Sequence, residues 1–229
     1  KVQDKNPFEQ IGMVTDAIWS DFNGDGREDL IVIGEWMQPK FFENTTEGFQ
    51  VASLFEEEDT LKGLWRKIHA FDIDEDGDTD YLLGNWGTNS KFKGTAEAPM
   101  RMYYSDFDKN GSTETIVTIE KNGKHYPLLG LDELSSQIIA LRKSFVSYKD
   151  FAGKPMEELF EKSILDQASV LQVTELNSGY LKNEEGRYYF VPFPEALQVS
   201  PITAFVNHDF DGDGSQEILT AGNYFGTTP

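Results

Sequence analysis

Short apolar runs of strand length recur along the chain and alternate with acidic segments that contain glycine. Four of these runs lie at residues 30–33, 81–83, 115–118 and 218–221. Their length and their many β-branched residues are typical of β-strands, and none approaches the ~18 residues of a membrane-spanning helix. The pattern therefore predicts a mainly β protein that does not insert into a membrane.

One segment departs from this β pattern. Between about residues 126 and 168, Leu131, Leu134, Ile138 and Leu141 follow one another at helical spacing. A proline then opens a second run with acidic residues in its first turn. We interpret this segment as a helical insertion, either a decorative cap or an element that docks a partner or covers a site.

Four of the acidic segments align without a gap, at residues 21–29, 72–80, 106–114 and 209–217. In each of them position 1 is Asp, position 2 is apolar, position 6 is Gly and position 9 is Asp or Glu. Positions 3 and 5 carry Asp or Asn. Insertions produce uneven spacing in a repeat protein, so we interpret the four segments as copies of one unit.

The residue types in these loops favour a calcium site. Oxygen side chains at positions 1, 3 and 5 of a tight loop can converge on one point, and such hard ligands suit Ca²⁺ better than Mg²⁺. An EF-hand is excluded because position 12 is Val32, Leu83, Val117 or Thr220 and a β-type run follows at once. Ordinary surface turns are the alternative, but four copies with crowded carboxylates favour a cation.

The overall charge limits the partners. The 229 residues include 40 acidic and 20 basic ones, which gives a formal net charge of −20 at pH 7. Such a chain is unsuited to nucleic acid or to anionic membranes, which attract basic surfaces. The absence of cysteine excludes a disulfide scaffold, a thiolate metal site and a cysteine nucleophile.

Two further motifs recur. Gly-Glu-Trp at 34–36 matches Gly-Asn-Trp at 84–86, and the aromatic hairpin pattern at 41–49 matches 180–188. Together with the acidic loops, these motifs resemble the FG-GAP/VCBS repeat family, the calcium-loop β-propeller repeats also found in integrin α subunits. They are similar to large secreted VCBS-repeat proteins of Bacteroidetes-type bacteria, which often carry an ASPIC/UnbV-type domain.

The resemblance implies a fold of β-propeller blades in which each loop joins two strands. We assign residues 1–62, 63–100 and 101–197 to three blades, with the helical insertion in the third, and 198–229 to an incomplete fourth. Propellers have about four to eight blades. We therefore expect a segment of a larger propeller, whose remaining blades lie in the parent chain or in another chain.

The resemblance also implies the ligands of up to four Ca²⁺ ions: the side chains at positions 1, 3, 5 and 9 and the main-chain carbonyl at position 7. Loop by loop they are Asp21, Asn23, Asp25, Arg27 and Asp29; Asp72, Asp74, Asp76, Asp78 and Asp80; Asp106, Asp108, Asn110, Ser112 and Glu114; and Asp209, Asp211, Asp213, Ser215 and Glu217. The neutral Asn110 is expected to weaken the third site, whereas the second and fourth loops are expected to bind best.

These inferences favour a non-enzymatic, calcium-binding module of a secreted or cell-surface protein, in an extracytoplasmic compartment. Adhesion, or recognition of an unidentified protein or glycan, is expected by analogy with the family. A calcium-dependent carbohydrate-active enzyme of the lyase or glycosidase kind is one alternative, and a purely structural scaffold is another. The enzyme would need a free base such as Arg101, Arg142 or His125 beside a calcium, and the sequence does not place one there.

Overall fold

The protein is described by a computed structural model over residues 6–55 and 60–223. Residues 1–5, 56–59 and 224–229, which belong to the predicted first and last blades, lie outside the described residues. The described chain is mainly β, as the sequence predicts, and is built from antiparallel sheets. Its strands are β1 (Met13–Ser20), β2 (Asp29–Met37), β3 (Lys40–Thr45), β4 (Gly48–Ala52), β5 (Gly63–Leu64), β6 (Lys67–Phe71), β7 (Asp80–Gly84), β8 (Met100–Ser105), β9 (Glu114–Lys121), β10 (Lys124–Pro127), β11 (Ser169–Val173), β12 (Gly179–Glu184), β13 (Arg187–Pro192), β14 (Ala204–His208) and β15 (Glu217–Ala221).

Short α-helices occupy the segment for which the sequence predicts helical structure. They are α1 (Leu131–Gln137), α2 (Ala140–Ser144), α3 (Tyr148–Phe151), α4 (Met156–Leu159) and α5 (Lys162–Leu165). A single 3₁₀ turn covers Glu195–Leu197. Among the described helices, none has the length and apolar character needed to cross a membrane.

The chain divides into two compact units. The first unit comprises the residues up to Lys91 together with those from Glu175 onward, and the second unit is Phe92–Thr174. The second unit is therefore an insertion in the sequence of the first.

Three antiparallel sheets make up the first unit. The first sheet has the strand order β1-β2-β3-β4, with β5 paired to β2, and the second sheet has the order β13-β12-β7-β6. The third sheet is the pair β14-β15. The described strands of this unit do not close into a ring.

Strand β7 lies at the centre of the first unit because both of its faces are buried. Tyr81 and Leu83 belong to the same core cluster as Ile31 of the first sheet. Leu82, which lies between them in the sequence, packs with Phe205 of the third sheet. Since successive side chains of a strand lie on opposite faces, the second sheet is packed between the first and the third. Each fully buried side chain of this kind contributes about 1.5–3 kcal/mol to stability.

The second sheet is completed by strands that come from beyond the inserted unit. Strand β7 ends at Gly84, whereas its neighbour β12 begins at Gly179, and Leu181 pairs with Tyr81 across them. The predicted blade limits at 63–100 and 101–197 separate strands that the structure pairs in one sheet. The reason is that this pairing is non-local, so no pattern within either segment reveals it.

A buried polar network holds together the points where the chain leaves the first unit and returns to it. Asn85 accepts the backbone N–H of Leu64 at 3.0 Å and donates from Nδ2 to the carbonyl of Glu175 at 3.0 Å. The backbone N–H of Asn85 donates to Ser178 Oγ at 2.9 Å, and Gln198 Oε1 accepts the N–H of Ser178 at 2.8 Å. A satisfied buried network of this kind rigidifies the local structure.

The second unit combines one sheet, of order β10-β9-β8-β11, with the five α-helices. Tyr103 and Ile116 of this sheet share a core cluster with Leu134 and Phe160 of the helical segment. The helices therefore cover a face of the sheet, and this unit has a hydrophobic core of its own.

Candidate metal centre

All four acidic loops occupy the same structural position. Residues 21–29 connect β1 to β2, residues 72–80 connect β6 to β7, and residues 209–217 connect β14 to β15. In the second unit, residues 106–114 connect β8 to β9 in the same way. Each loop is the turn of an antiparallel hairpin, so the repeat seen in the sequence is also a repeat in the structure.

The Asp at position 1 organises the turn of every loop. In the third loop, Asp106 Oδ1 accepts the N–H of Asn110 at 2.9 Å, and Oδ2 accepts the N–H of Gly111 at 2.9 Å. Asp21, Asp72 and Asp209 accept the equivalent pair of backbone N–H groups in their own loops. The position therefore requires an acceptor with two oxygens, which explains why all four loops have Asp there.

The acid at position 9 closes the loop by reaching back to position 2. Glu114 Oε2 accepts the N–H of Phe107 at 2.9 Å, and the equivalent bonds of the other loops measure 2.8–3.3 Å. In the first two loops the acid is Asp29 or Asp80, and both are fully buried. The second oxygen of each accepts a backbone N–H from the strand beside the hairpin, β3 or β12. Those donors are Asn44 and Asn183, each at 2.7 Å.

Two positions in each loop adopt left-handed backbone. Position 6 is glycine in all four loops, with φ between 85° and 97°. Position 4 is glycine in the first and fourth loops but Glu75 and Lys109 in the other two, with φ of 59° and 60°. The glycine at position 6 is evident from the sequence, whereas the left-handed backbone at position 4 is not, because two of the four loops have a non-glycine residue there.

The side chains at positions 1, 3 and 9 converge in three of the loops. One oxygen from each carboxylate lies within 4.8 Å of the others. The three groups are Asp72, Asp74 and Asp80; Asp106, Asp108 and Glu114; and Asp209, Asp211 and Glu217. These sets of hard oxygen donors could hold a metal ion.

Positions 5 and 7 are engaged with each other instead. The side-chain oxygen at position 5 accepts the backbone N–H at position 7, at 2.7 Å between Asn110 and Ser112 and at 2.8–3.0 Å in the other loops. The predicted ligand at position 5 therefore lies outside the acidic groups found among the described residues. A carboxylate at position 5 has a second oxygen that a cation could use, but Asp25 uses this oxygen for Arg27, and Asn110 has none.

Two loops contain a buried carboxylate oxygen that has no hydrogen-bond partner among the described residues. These atoms are Asp108 Oδ1 and Asp78 Oδ1. Leaving a buried acceptor unpaired costs about 1–3 kcal/mol. Asp108 belongs to one of the converging groups, so a cation bound there would satisfy its free oxygen.

Crowding of carboxylates is greatest in the second loop. Burial, followed by the charge of Asp76, raises the pKa of Asp78 to about 6. Burial also raises the pKa of Asp80, against the hydrogen bonds that it accepts from Asn183 and Ile73. Both raised pKa values mean that the ionised carboxylates of this loop are destabilised by burial and by one another, and a bound cation would offset this effect.

The first loop departs from the other three. Asn23 replaces the carboxylate at position 3, and the guanidinium of Arg27 forms an ion pair with Asp25. Arg27 also donates to the carbonyl of Asn44. The sequence motif predicts a role only for the carbonyl of Arg27, and the signal for its side chain is that Arg27 is the single basic residue among the four at position 7.

The first and second loops border one acidic cleft of about 580 Å³. Its lining includes Asp21, Asn23, Glu43, Asp78 and Glu185. This surface extends the negative potential of the loops and disfavours an anionic ligand there.

Comparison with known families agrees with this geometry. Residues 21–83 match the FG-GAP-like repeat family. The match begins at the first residue of the first loop, includes the second loop and ends within β7. It supports the FG-GAP repeat family for a β-propeller-type repeat in this part of the chain. No curated protein and no solved structure matches the chain.

Proposed function

We propose that the chain is a calcium-binding module of the β-propeller repeat type, in which Ca²⁺ stabilises the hairpin loops. The observation that carries the proposal is the convergence of carboxylate oxygens from positions 1, 3 and 9 within 4.8 Å in three loops. Calcium prefers six to eight oxygen ligands in flexible geometry, which suits loops of this kind better than the strict octahedron of Mg²⁺.

The proposed ligands are the residues at positions 1, 3, 5 and 9 of each loop, with the carbonyl at position 7. Bound calcium would supply the positive charge that the crowded carboxylates lack. The first loop has one amide donor and an arginine paired with Asp25, so we propose that it binds more weakly than the second and fourth loops. The third loop is weakened by Asn110.

We further propose that the module belongs to a large secreted or cell-surface protein of the VCBS-repeat kind and recognises a protein or a glycan outside the cytoplasm. The FG-GAP-like match and the acidic loops support this proposal. Extracellular calcium modules bind with dissociation constants of roughly 10⁻⁴–10⁻³ M, which cytoplasmic calcium does not reach.

The basic residues of the enzyme alternative do not favour it. Arg142 forms an ion pair with Asp132, and His125 is buried with Nδ1 at 3.3 Å from Thr118 Oγ1. The positive charge of the nearby Arg101 helps to lower the pKa of His125. The contacts of Arg142 and His125 support a structural role for these two residues, and we therefore propose the binding module over the enzyme.

Thermal unfolding in EDTA, in Ca²⁺ and in Mg²⁺ tests the calcium proposal, together with a calorimetric titration. We expect a calcium-specific rise in the unfolding midpoint and up to four bound ions. Each site adds about 2.7 kcal/mol when free calcium exceeds its dissociation constant a hundredfold. Asp211→Asn should remove part of the gain from the fourth loop. An unchanged midpoint, or an equal rise with Mg²⁺, would contradict the proposal.

A further inference from the structure

Three Asn-Gly dipeptides occur in the described chain, at residues 23–24, 110–111 and 122–123. Asn-Gly is the dipeptide most prone to spontaneous deamidation, because a glycine offers no side chain to hinder its backbone nitrogen. That nitrogen attacks the side-chain amide carbon of the preceding asparagine. The surrounding structure decides whether the nitrogen is available.

The backbone N–H of the glycine is engaged in two of the three dipeptides. Gly111 donates to Asp106 Oδ2 at 2.9 Å, and Gly123 donates to Glu120 Oε1. Gly24 is exposed, and its N–H has no acceptor among the described residues. At the equivalent position of the fourth loop, Gly212 donates to Asp209 Oδ1 at 2.6 Å, so the turn can engage this N–H but does not do so in the first loop.

The amide that would be attacked is polarised in the first loop. Asn23 Oδ1 accepts the N–H of Asp25 at 3.1 Å, and negative charge develops on this oxygen during the attack. Asn110 Oδ1 accepts the N–H of Ser112 at 2.7 Å in the same manner. The two amides are therefore similarly activated, and the difference between the sites lies in the nucleophile.

The geometry points to Asn23 as a site of spontaneous deamidation that the fold leaves open while it protects Asn110 and Asn122. The nitrogen of Gly24 bonds to Cγ of Asn23, the Cγ–Nδ2 bond breaks, and ammonia leaves with the proton that the nitrogen gave up. Water then adds to the succinimide and opens it to aspartate or isoaspartate. The net change is one water consumed and one ammonia released, with no oxidation or reduction.

The aspartate product places a carboxylate at position 3, where the other three loops carry Asp74, Asp108 and Asp211. The isoaspartate product instead adds a carbon to the main chain within the loop. The consequence for calcium rests on the proposed function, since it requires that position 3 is a ligand. We expect Asn23→Asp to bind calcium more tightly at the first loop, and unchanged affinity would oppose the calcium proposal without touching the deamidation.

Mass mapping of the full chain tests the site. The protein is incubated in EDTA at mildly alkaline pH in ¹⁸O water, and peptides containing each dipeptide are followed for the mass change of deamidation. We expect Asn23 to react at least about tenfold faster than Asn110 or Asn122, since freeing a nitrogen bonded to a carboxylate costs that factor or more. In concentrated urea the three rates should come within a few-fold of one another.

A matched variant isolates the cause. Glu120→Ala removes the acceptor of the Gly123 N–H, so Asn122 should then approach the rate of Asn23 while Asn110 stays slow. Native rates that are equal at the three sites would overturn the inference. Slow deamidation of Asn23 in the native chain, combined with fast deamidation in urea, would also overturn the inference.

Discussion

Asp80 Oδ1 accepts the backbone N–H of Asn183 at 2.7 Å, although 103 positions separate the two residues in the sequence. The second oxygen of Asp80 accepts the N–H of Ile73 at 3.0 Å within its own loop. Asp80 thereby connects the second acidic loop to the strand that follows the inserted unit. The acid at position 9 therefore stabilises the sheet whether or not a metal is bound.

Replacing this acid should destabilise the protein in EDTA. Asp80→Ala leaves two backbone N–H groups without their acceptor, and each unpaired buried group costs about 1–3 kcal/mol. Urea unfolding in EDTA measures the loss. Asp74→Ala is the control, because the exposed Asp74 accepts no backbone N–H among the described residues: its surface ion pair with Lys182 is worth at most about 1 kcal/mol, and its charge repels Asp80. Equal losses in the two variants would show that Asp80 has no special structural role.

Glycine at position 4 should stabilise the two loops that lack it. Glu75 and Lys109 have φ near 60°, a conformation that costs an L-residue about 1–2 kcal/mol and glycine almost nothing. After the entropy of glycine in the unfolded chain is subtracted, Glu75→Gly and Lys109→Gly should each gain roughly 0.5–1 kcal/mol. Gly212→Ala, at the same position of the fourth loop, should lose stability. A lower midpoint for both glycine variants would contradict this prediction.

Removal of residues 92–174 should leave the first unit folded. The chain leaves and returns at neighbouring points, since the N–H of Gly87 donates to the carbonyl of Leu176 at 2.8 Å and Asn85 bonds to Glu175. A short glycine-serine linker should therefore bridge Lys91 and Glu175, as insertions between close ends are usually tolerated. Far-ultraviolet circular dichroism and urea unfolding should show a cooperative β protein.

Calorimetry adds a second readout to the same deletion. On the proposed function, the shortened chain should lose the one calcium ion of the third loop and keep the others. The excised Phe92–Thr174 should fold alone around its own core. Loss of cooperative unfolding in the shortened chain would show that the second sheet depends on the inserted unit.

The buried His125 should make the second unit sensitive to acid. Burial, together with the nearby Arg101, lowers its pKa below the ordinary value of 6.5, against the opposing charges of Glu120 and Glu157. The unfolded chain then takes up the proton first as the pH falls. The stability that neutral His125 contributes is therefore complete above the unfolded-state pKa and is lost as the pH falls through the folded-state pKa.

His125→Gln measures this contribution. Urea unfolding of the wild type and the variant in EDTA, at neutral and at mildly acidic pH, should show a smaller acid-induced loss in the variant. Gln retains a donor for Thr118 Oγ1, which lies 3.3 Å from the imidazole Nδ1. Identical losses would assign the acid sensitivity to the carboxylates of the loops.

The features that sequence alone predicts are those encoded within a few residues. The loop at 72–80 and the strand after it follow from the spacing of Asp and Gly and from the apolar run, and both are confirmed as a hairpin turn and strand β7. The bond between Asp80 and Asn183 could not be predicted in this way, because nothing in either segment identifies its partner. The pairing of β7 with β12 is equally non-local.

Some side-chain contacts and backbone conformations within the loops could not be predicted from the sequence either. Arg27 occupies a position that the motif uses only for its carbonyl, yet its guanidinium binds Asp25 and the carbonyl of Asn44. The left-handed backbone of Glu75 is imposed by the turn and contradicts its residue preference. Both features depend on the three-dimensional structure of the loop and on its hydrogen bonds.

The insertion between β7 and β12 has a consequence for the order in which the chain folds. During synthesis the first sheet can assemble from neighbouring strands, but β7 must wait for β12 until the whole inserted unit has emerged. Local contacts form faster than distant ones, so Phe92–Thr174 can collapse on its own core during that interval. Until β12 is synthesised, the apolar strand β7 has an unpaired edge. Such an edge can pair with another chain, so the nascent protein is prone to aggregate at this stage.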